Sequence, residues 1–140
     1  MTKVYLIRHA EAEGNLYRLA HGWYDSGVTD FGQRQIRALA ERFRHIPIDA
    51  VYSSDLMRTR ITAESIYKAK SLPLLTDERL REVHIGRWED VPWGNLEKYE
   101  AENLKNFNMY PDKWSVEGAE TFDHVRERIM SAIRELAAKH

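Results

Sequence analysis

The residues Val4-Tyr5-Leu6-Ile7 form an unbroken apolar run that stops at Arg8-His9, with Ala10, Glu11, Glu13, Gly14 and Asn15 following at once. Four apolar residues in succession, β-branched and aromatic members among them, suit a strand covered on both faces, as in parallel sheets flanked by helices. Arg8 and His9 then stand at the carboxyl end of that strand, before a glycine-bearing loop. A fixed cation beside an imidazole in that place suits covalent capture of an anion such as phosphate. Taken alone, the same pair also reads as a capped strand end with solvated polar residues.

The rest of the chain supports the sheet. Ile36, Leu39, Ala40 and Phe43 recur at i, i+3, i+4 and i+7, the stripe of a helix that opens near Thr29-Asp30 and closes before Pro47. Ile48 to Tyr52 predicts a second short strand ending in Ser53-Ser54-Asp55. Arg58 through Lys68 resumes helical spacing, with Ile61, Ser65 and Ile66 facing inward. Strand, helix, strand, helix is the α/β alternation, and crossover helices make neighbouring strands parallel, so both strand ends open on the edge where such sheets bind ligands. Leu72 to Thr76 is a candidate third strand. Leu96, Tyr99 and Phe107 suggest a helix interrupted by Pro111 and Gly118, and Phe122, Val125, Ile129, Ala132, Ile133 and Leu136 form a terminal amphipathic helix.

At 140 residues and 43% hydrophobic, the chain suits one domain, residues 1–140. Lysine and arginine number 21 against 22 acidic residues. This balance gives no global attraction to nucleic acid or to an anionic membrane, so an anion site must be local. The absence of cysteine excludes a disulfide framework and a thiolate nucleophile, and fits a reducing compartment. Short apolar stretches and no signal-peptide pattern point to a cytoplasmic protein.

Arg8-His9, Asn15, the turn Gly22-Trp23-Tyr24-Asp25, Ser53-Ser54-Asp55-Leu56 with Arg58, and Leu80-Arg81-Glu82 all fall on strand ends or adjoining loops. This ordered set closely resembles the histidine phosphatase superfamily, the phosphoglycerate-mutase-like proteins. Leu6-Ile7-Arg8-His9-Ala10-Glu11 matches the family's opening pattern, and Leu80-Arg81-Glu82 before Gly86 and Trp88 is similar to its third motif. Gly118, Glu120 and Thr121 before Val125-Arg126 resemble the segment that opens its late helix. The resemblance implies a three-layer α/β fold with a mostly parallel central sheet and flanking helices, incomplete at the C-terminus. It implies phosphomonoester hydrolysis through a phosphohistidine on His9, without a metal or other cofactor. Arg8 and Arg58 would clamp the phosphoryl group, since guanidinium forks match its oxygens. Asn15 and a backbone or side-chain donor around Gly22 would also bind phosphate. Glu82 would protonate the leaving alkoxide, which needs a carboxyl kept protonated by burial or by nearby negative charge.

Simpler readings stand beside these. Arg8 could serve a structural ion pair with Glu11 or Glu82. Ser53 and Ser54 are expected to cap the following helix rather than act as nucleophiles. Trp88, Trp93 and Trp114 are expected to pack a loop-rich cap. His21, His45, His84 and His124 lack metal spacing and read as solvated or core histidines. Charges such as Arg126, Glu127 and Arg134 read as a solvated helix face.

The family also carries a second catalytic histidine, at the end of an apolar strand after the late helix. After Leu136 only Ala137-Ala138-Lys139-His140 remain, and His140 is no substitute. By resemblance, the absent strand lies between those ending at Ile7 and Tyr52. A fragment or a shortened version of a longer enzyme is favoured, against a short form that repairs its sheet by pairing or exchanging segments with another copy. The short insert between Trp88 and Gly118 leans toward phosphatases over mutases acting on small phosphorylated substrates. The alternatives are mutase-type phosphoryl transfer and a non-catalytic phosphate-binding or assembly module.

Overall fold

A computed structural model describes residues 2–140. A single helical turn, α1 (Glu13–Leu16), is followed by α2 (Asp30–Phe43), β1 (Val51–Ser53), α3 (Met57–Tyr67) and β2 (Leu74–Thr76). The strands pair in parallel, Val51 with Leu74 and Ser53 with Thr76, as the crossover through α3 requires. Two 3₁₀ turns (Glu78–Leu80 and Gly86–Trp88) lead to α4 (Trp93–Tyr99), α5 (Ala101–Met109) and the long α6 (Phe122–Ala138). This mixed α/β arrangement, parallel strands with flanking helices, is the expected fold class.

The helix readings hold where caps and periodicity agree. Thr29 caps α2 by accepting from the Gly32 N–H, and Thr121 caps α6 through the His124 N–H. On α3 the buried stripe is Arg58, Thr62 and Ile66, while Ile61 and Ser65 are only partly covered. The expected stripe was displaced because a buried arginine does not register as apolar. The interrupted helix of the middle region is two, α4 and α5, that meet at Glu100.

Two apolar clusters result. One packs Phe43, Val51 and Ile66 between α2, α3 and β1. The larger joins Val83, Ile85, Trp88, Leu96, Trp114 and Val125, with Phe107 edge to face against Trp114 at 5.1 Å and Phe122 tilted against it at 5.4 Å. Trp88 and Trp114 are thus core residues, as expected, and Trp93 packs against the same cluster. Gly86, at φ +59°, lets the 83–88 segment cross the backbone of Glu117–Ala119, where a Cβ would meet the Glu117 carbonyl.

The first expected strand is not one. Residues 4–7 pair with no strand and are exposed, Leu6 by 80%. The segment is held at its start by Thr2 Oγ1, which donates to the Ala137 carbonyl (3.2 Å), and by Tyr5 edge-on to Phe43. Between it and β1 lies a cleft of about 1050 Å³, floored by Phe43, Ile66, Ile133 and Leu136. β1 pairs with β2 on one side only, so its other edge faces the cleft. An apolar run states that it must be covered but not that its neighbouring strand is present, and here the place beside it is open.

Candidate active site

The site begins where the free segment ends. The Ala10 N–H donates to Thr62 Oγ1 (2.9 Å), which in turn donates to the Arg58 carbonyl (2.7 Å). Next, the Glu11 N–H donates to Gln35 Oε1 (2.8 Å). Side chains of α2 and α3, rather than a sheet ladder, therefore hold the backbone around His9.

His9 Nδ1 lies 2.7 Å from its neighbour's carbonyl, Ala10 O. A carbonyl only accepts, so Nδ1 carries the proton and Nε2 the lone pair. Burial pushes the His9 pKa below the ordinary value; the Ala10 carbonyl opposes, Arg58 and Arg8 add to the lowering, and Glu82 opposes. The ring is therefore neutral near pH 7, with its Nε2 lone pair uncommitted.

Arg58 is 1% exposed at the first turn of α3. Its guanidinium donates to the carbonyls of Gly22 (2.6 Å) and Tyr24 (2.9 Å), lies 3.8 Å from Asp25, and keeps a buried Nε without a partner. A buried cation with an unused donor is suited to an anion. Asp25 also accepts from the Met57 N–H (2.7 Å), so the cap on α3 comes from the Gly22–Asp25 turn, 32 residues away. The expected serine cap is absent. Ser53 Oγ donates to the Ser54 carbonyl and Ser54 Oγ pairs with Thr59 Oγ1, both at 2.7 Å.

Gly22 enters the site differently from the expected donor. Its N–H is committed to Glu89 Oε2 (3.0 Å), and it faces Arg58 with its carbonyl. Asn15 uses Oδ1 to accept from the Ala12 N–H (3.0 Å), which orients its side-chain amide at the start of α1. Arg8 is exposed and forms none of the ion pairs found among the described residues, so the structural pairing with Glu11 or Glu82 is not made.

Glu82 stands on an exposed stretch after the first 3₁₀ turn and accepts from the Val83 N–H (2.9 Å), so the burial expected for an acid is not supplied by the protein. Its backbone is nonetheless held firmly. Arg128 donates to the carbonyls of Arg79 (2.8 Å), Arg81 (2.7 Å) and Glu82 (2.8 Å), and grips Glu120 with two further bonds (2.8 and 2.7 Å). Arg81 forks onto Asp55, joining this stretch to the loop after β1.

Two residues escaped the sequence reading. Arg128 resembled its solvated neighbours on α6, although its place beside the apolar Val125–Ile129 stripe signalled burial. His21 was taken as solvated or core, yet its ring stands edge-on to His9 at 5.9 Å. It fits because Gly14 has no side chain, since a Cβ there would lie 2.7 Å from the His21 ring. Burial first, then the charges of Arg58 and His9, lower the His21 pKa to about 4, so this second imidazole is neutral as well. Among the described residues, no group of three or more His, Asp or Glu could hold a metal ion.

Comparisons with known proteins identify the family and the fold. The profile of the histidine phosphatase superfamily (branch 1) matches residues 4–140. "Phosphoserine phosphatase 1" of Hydrogenobacter thermophilus is 32% identical over 145 aligned residues, covering 100% of this chain and 66% of the relative. "Probable phosphoglycerate mutase GpmB" of Yersinia pestis is 35% identical over 95% of this chain and 62% of its own length. Among solved structures, YhfR of Bacillus stearothermophilus superposes with a TM-score of 0.90 at 29% identity, covering 95% of this chain and 66% of that one. A mycobacterial glucosyl-3-phosphoglycerate phosphatase superposes with a TM-score of 0.83 at 26% identity, covering 94% and 62%. The chain thus spans about half to two thirds of the length of the curated relatives it matches. With the profile matched over residues 4–140 and relatives above 30% identity along nearly the whole chain, the chain belongs to the histidine phosphatase superfamily.

Proposed function

We propose that residues 1–140 carry the nucleophile and phosphate-clamping part of a metal-independent phosphomonoester hydrolase. The observation that carries this reading is the His9 ring, its Nδ1 proton held by the Ala10 carbonyl, beside a buried Arg58 with an unpartnered Nε. His9 Nε2 attacks phosphorus, and the bond from phosphorus to the ester oxygen breaks. The departing alkoxide takes the Glu82 proton, and Arg8, Arg58 and Asn15 hold the equatorial oxygens. Water then attacks the phosphohistidine and the P–N bond breaks. Inorganic phosphate leaves, and Glu82 regains a proton from that water.

The substrate class is a small phosphomonoester. Hydrolysis is favoured over mutase transfer by the short stretch between Trp88 and Gly118, and a lack of cysteine fits a cytoplasmic setting. No helix among the described residues is long and apolar enough to cross a membrane. The open cleft beside β1 favours a condition on this activity: an added strand, from further chain or from an exchanged segment of a second copy, must fill it before turnover is complete. Without that strand, the same pocket would serve as a phosphate-binding module.

The test is to trap the intermediate. After brief exposure to a generic aryl phosphate and rapid denaturation, one phosphoryl group is expected on His9 and none in His9→Gln. Labelling that persists in His9→Gln would end this reading. A phosphoglycerate isomerisation assay run in parallel separates mutase from hydrolase, and phosphate binding without labelling would identify the non-catalytic module.

A further inference from the structure

The turn Gly22–Tyr24 lies between two opposite charges. On one side the Glu89 carboxylate accepts the N–H groups of Gly22 (3.0 Å), Trp23 (2.8 Å) and Tyr24 (2.8 Å), and that of Ile85 (3.2 Å). On the other side Arg58 donates to the carbonyls of Gly22 and Tyr24. Three consecutive N–H groups converging on one point make a backbone nest for an anion, and here the anion is the protein's own carboxylate. The nest is therefore closed to substrate phosphate, and the turn presents carbonyl oxygens to the site.

We propose that Glu89 is a positioning residue for Arg58: by gathering the N–H groups of residues 22–24 it fixes the turn so that the Gly22 carbonyl, opposite the held Trp23 N–H, points at the buried guanidinium. This rests on the reading of Arg58 as the phosphate clamp. A buried guanidinium requires acceptors fixed in place, because an unpaired buried charge is costly. One of its acceptors, the Gly22 oxygen, belongs to the same peptide as the Trp23 N–H that Glu89 accepts, so the direction of that carbonyl follows from the bond to Glu89, while the Tyr24 oxygen follows at the end of the held turn. The chain carboxylate, peptide, guanidinium also polarises each bond in the same sense. Glu89 forms none of the ion pairs found among the described residues, so the N–H groups are its direct partners. Its own position is firm, because it follows Trp88, which is fully buried, and its N–H donates to the Gly86 carbonyl (3.0 Å). The close approach requires glycine at position 22, since a Cβ there would strike the Val83 carbonyl and lie 2.9 Å from Glu89 Oε1.

The test reads Arg58 through its neighbour. Arg58 lowers the His9 pKa, so a displaced Arg58 registers at the His9 ring. In Glu89→Gln, an NH₂ group faces the turn's N–H groups and the turn loosens. Amide exchange at residues 22–24 is expected to accelerate roughly tenfold or more, and His9, followed by NMR titration, is expected to titrate at higher pH than in the wild type. A pure loss of carboxylate charge would act in the opposite direction, because a carboxylate favours imidazolium. In an Arg58→Met background, adding Glu89→Gln is expected to leave the His9 titration unchanged. Should Glu89→Gln not fold, Glu89→Asp keeps the charge, shortens the reach and carries the same signs. A His9 titration that is unmoved or lowered, or raised equally without Arg58, overturns the proposal.

Inorganic phosphate binding separates this from the underlying reading. No binding by the wild type, or equal affinity in Arg58→Met, counts against the clamp and leaves Glu89 to the titration. Affinity lost in Arg58→Met but kept in Glu89→Gln overturns the positioning role.

Discussion

The two sides of this molecule solve the same problem unequally. Around Trp88, the aromatic residues of α5, α6 and the loops close over one another, with Trp88 at 0% and Leu96 at 3% exposure. Around β1, an equally apolar segment, Val4–Ile7, lies beside an open cleft with Leu6 80% exposed. The closed side anchors Glu82 through Arg128 and the Gly22–Tyr24 turn through Glu89. The open side delivers Arg8 and His9. His9 nonetheless sits at a fixed point, because Ala10 and Glu11 are tied to Thr62 and Gln35 just past the exposed run. The backbone around His9 is thus fastened by side chains of α2 and α3, and not by pairing with β1.

The largest expected effect probes the closed side. Trp88→Ala should cost about 3–5 kcal/mol of stability in urea unfolding, by removing a fully buried ring from an aromatic cluster. A cost near that of a surface substitution would show that the aromatic side is not the more tightly packed one. Next comes the fastening between the sides. Thr62→Val keeps the shape but strips the Ala10 N–H of its acceptor, for an expected loss of about 1–3 kcal/mol and faster exchange at Ala10. An unchanged Ala10 amide would mean that something other than α3 holds His9.

A smaller effect follows from His21. Its folded pKa of about 4 lies below that of the unfolded chain, so between roughly pH 6.5 and 4 the unfolded state binds more protons. Stability therefore rises with pH through that window and is lost as pH falls, by at most about 1.4 kcal/mol per pH unit for this group. His21→Gln should flatten that part of the profile; an unaltered slope would place the acid sensitivity elsewhere. Smallest of all, Leu6→Ser on the open side should change stability by less than about 0.5 kcal/mol. A loss comparable with Trp88→Ala would show that this segment is packed in solution, as it would be if a second copy filled the cleft.

What the sequence disclosed follows from the range of the interactions involved. The helices α2 and α6 were legible because Thr29 and Thr121 cap them locally and their apolar residues keep one period. The parallel pairing of β1 and β2 followed from the helix between them. The candidate site residues Arg8, His9, Arg58 and Glu82 stand out in the sequence because unusual residues there end apolar or helical patterns. The remainder depends on contacts far apart in the chain: Asp25 capping α3, Glu89 holding the turn 66 residues before it at Trp23, Arg128 bonding the carbonyls of 79–82. No local pattern encodes such pairs. The exposed state of Val4–Ile7 is hidden for a related reason, since hydropathy reports what a segment requires and not which neighbour covers it.

The central claim is that His9 is a neutral imidazole with its proton on Nδ1 and a free lone pair on Nε2. Long-range ¹H–¹⁵N correlation of the ¹⁵N-labelled protein at pH 7 reads this directly. The account predicts a protonated Nδ1 and an unprotonated Nε2 for His9. A proton on Nε2, or an imidazolium at that pH, would contradict it.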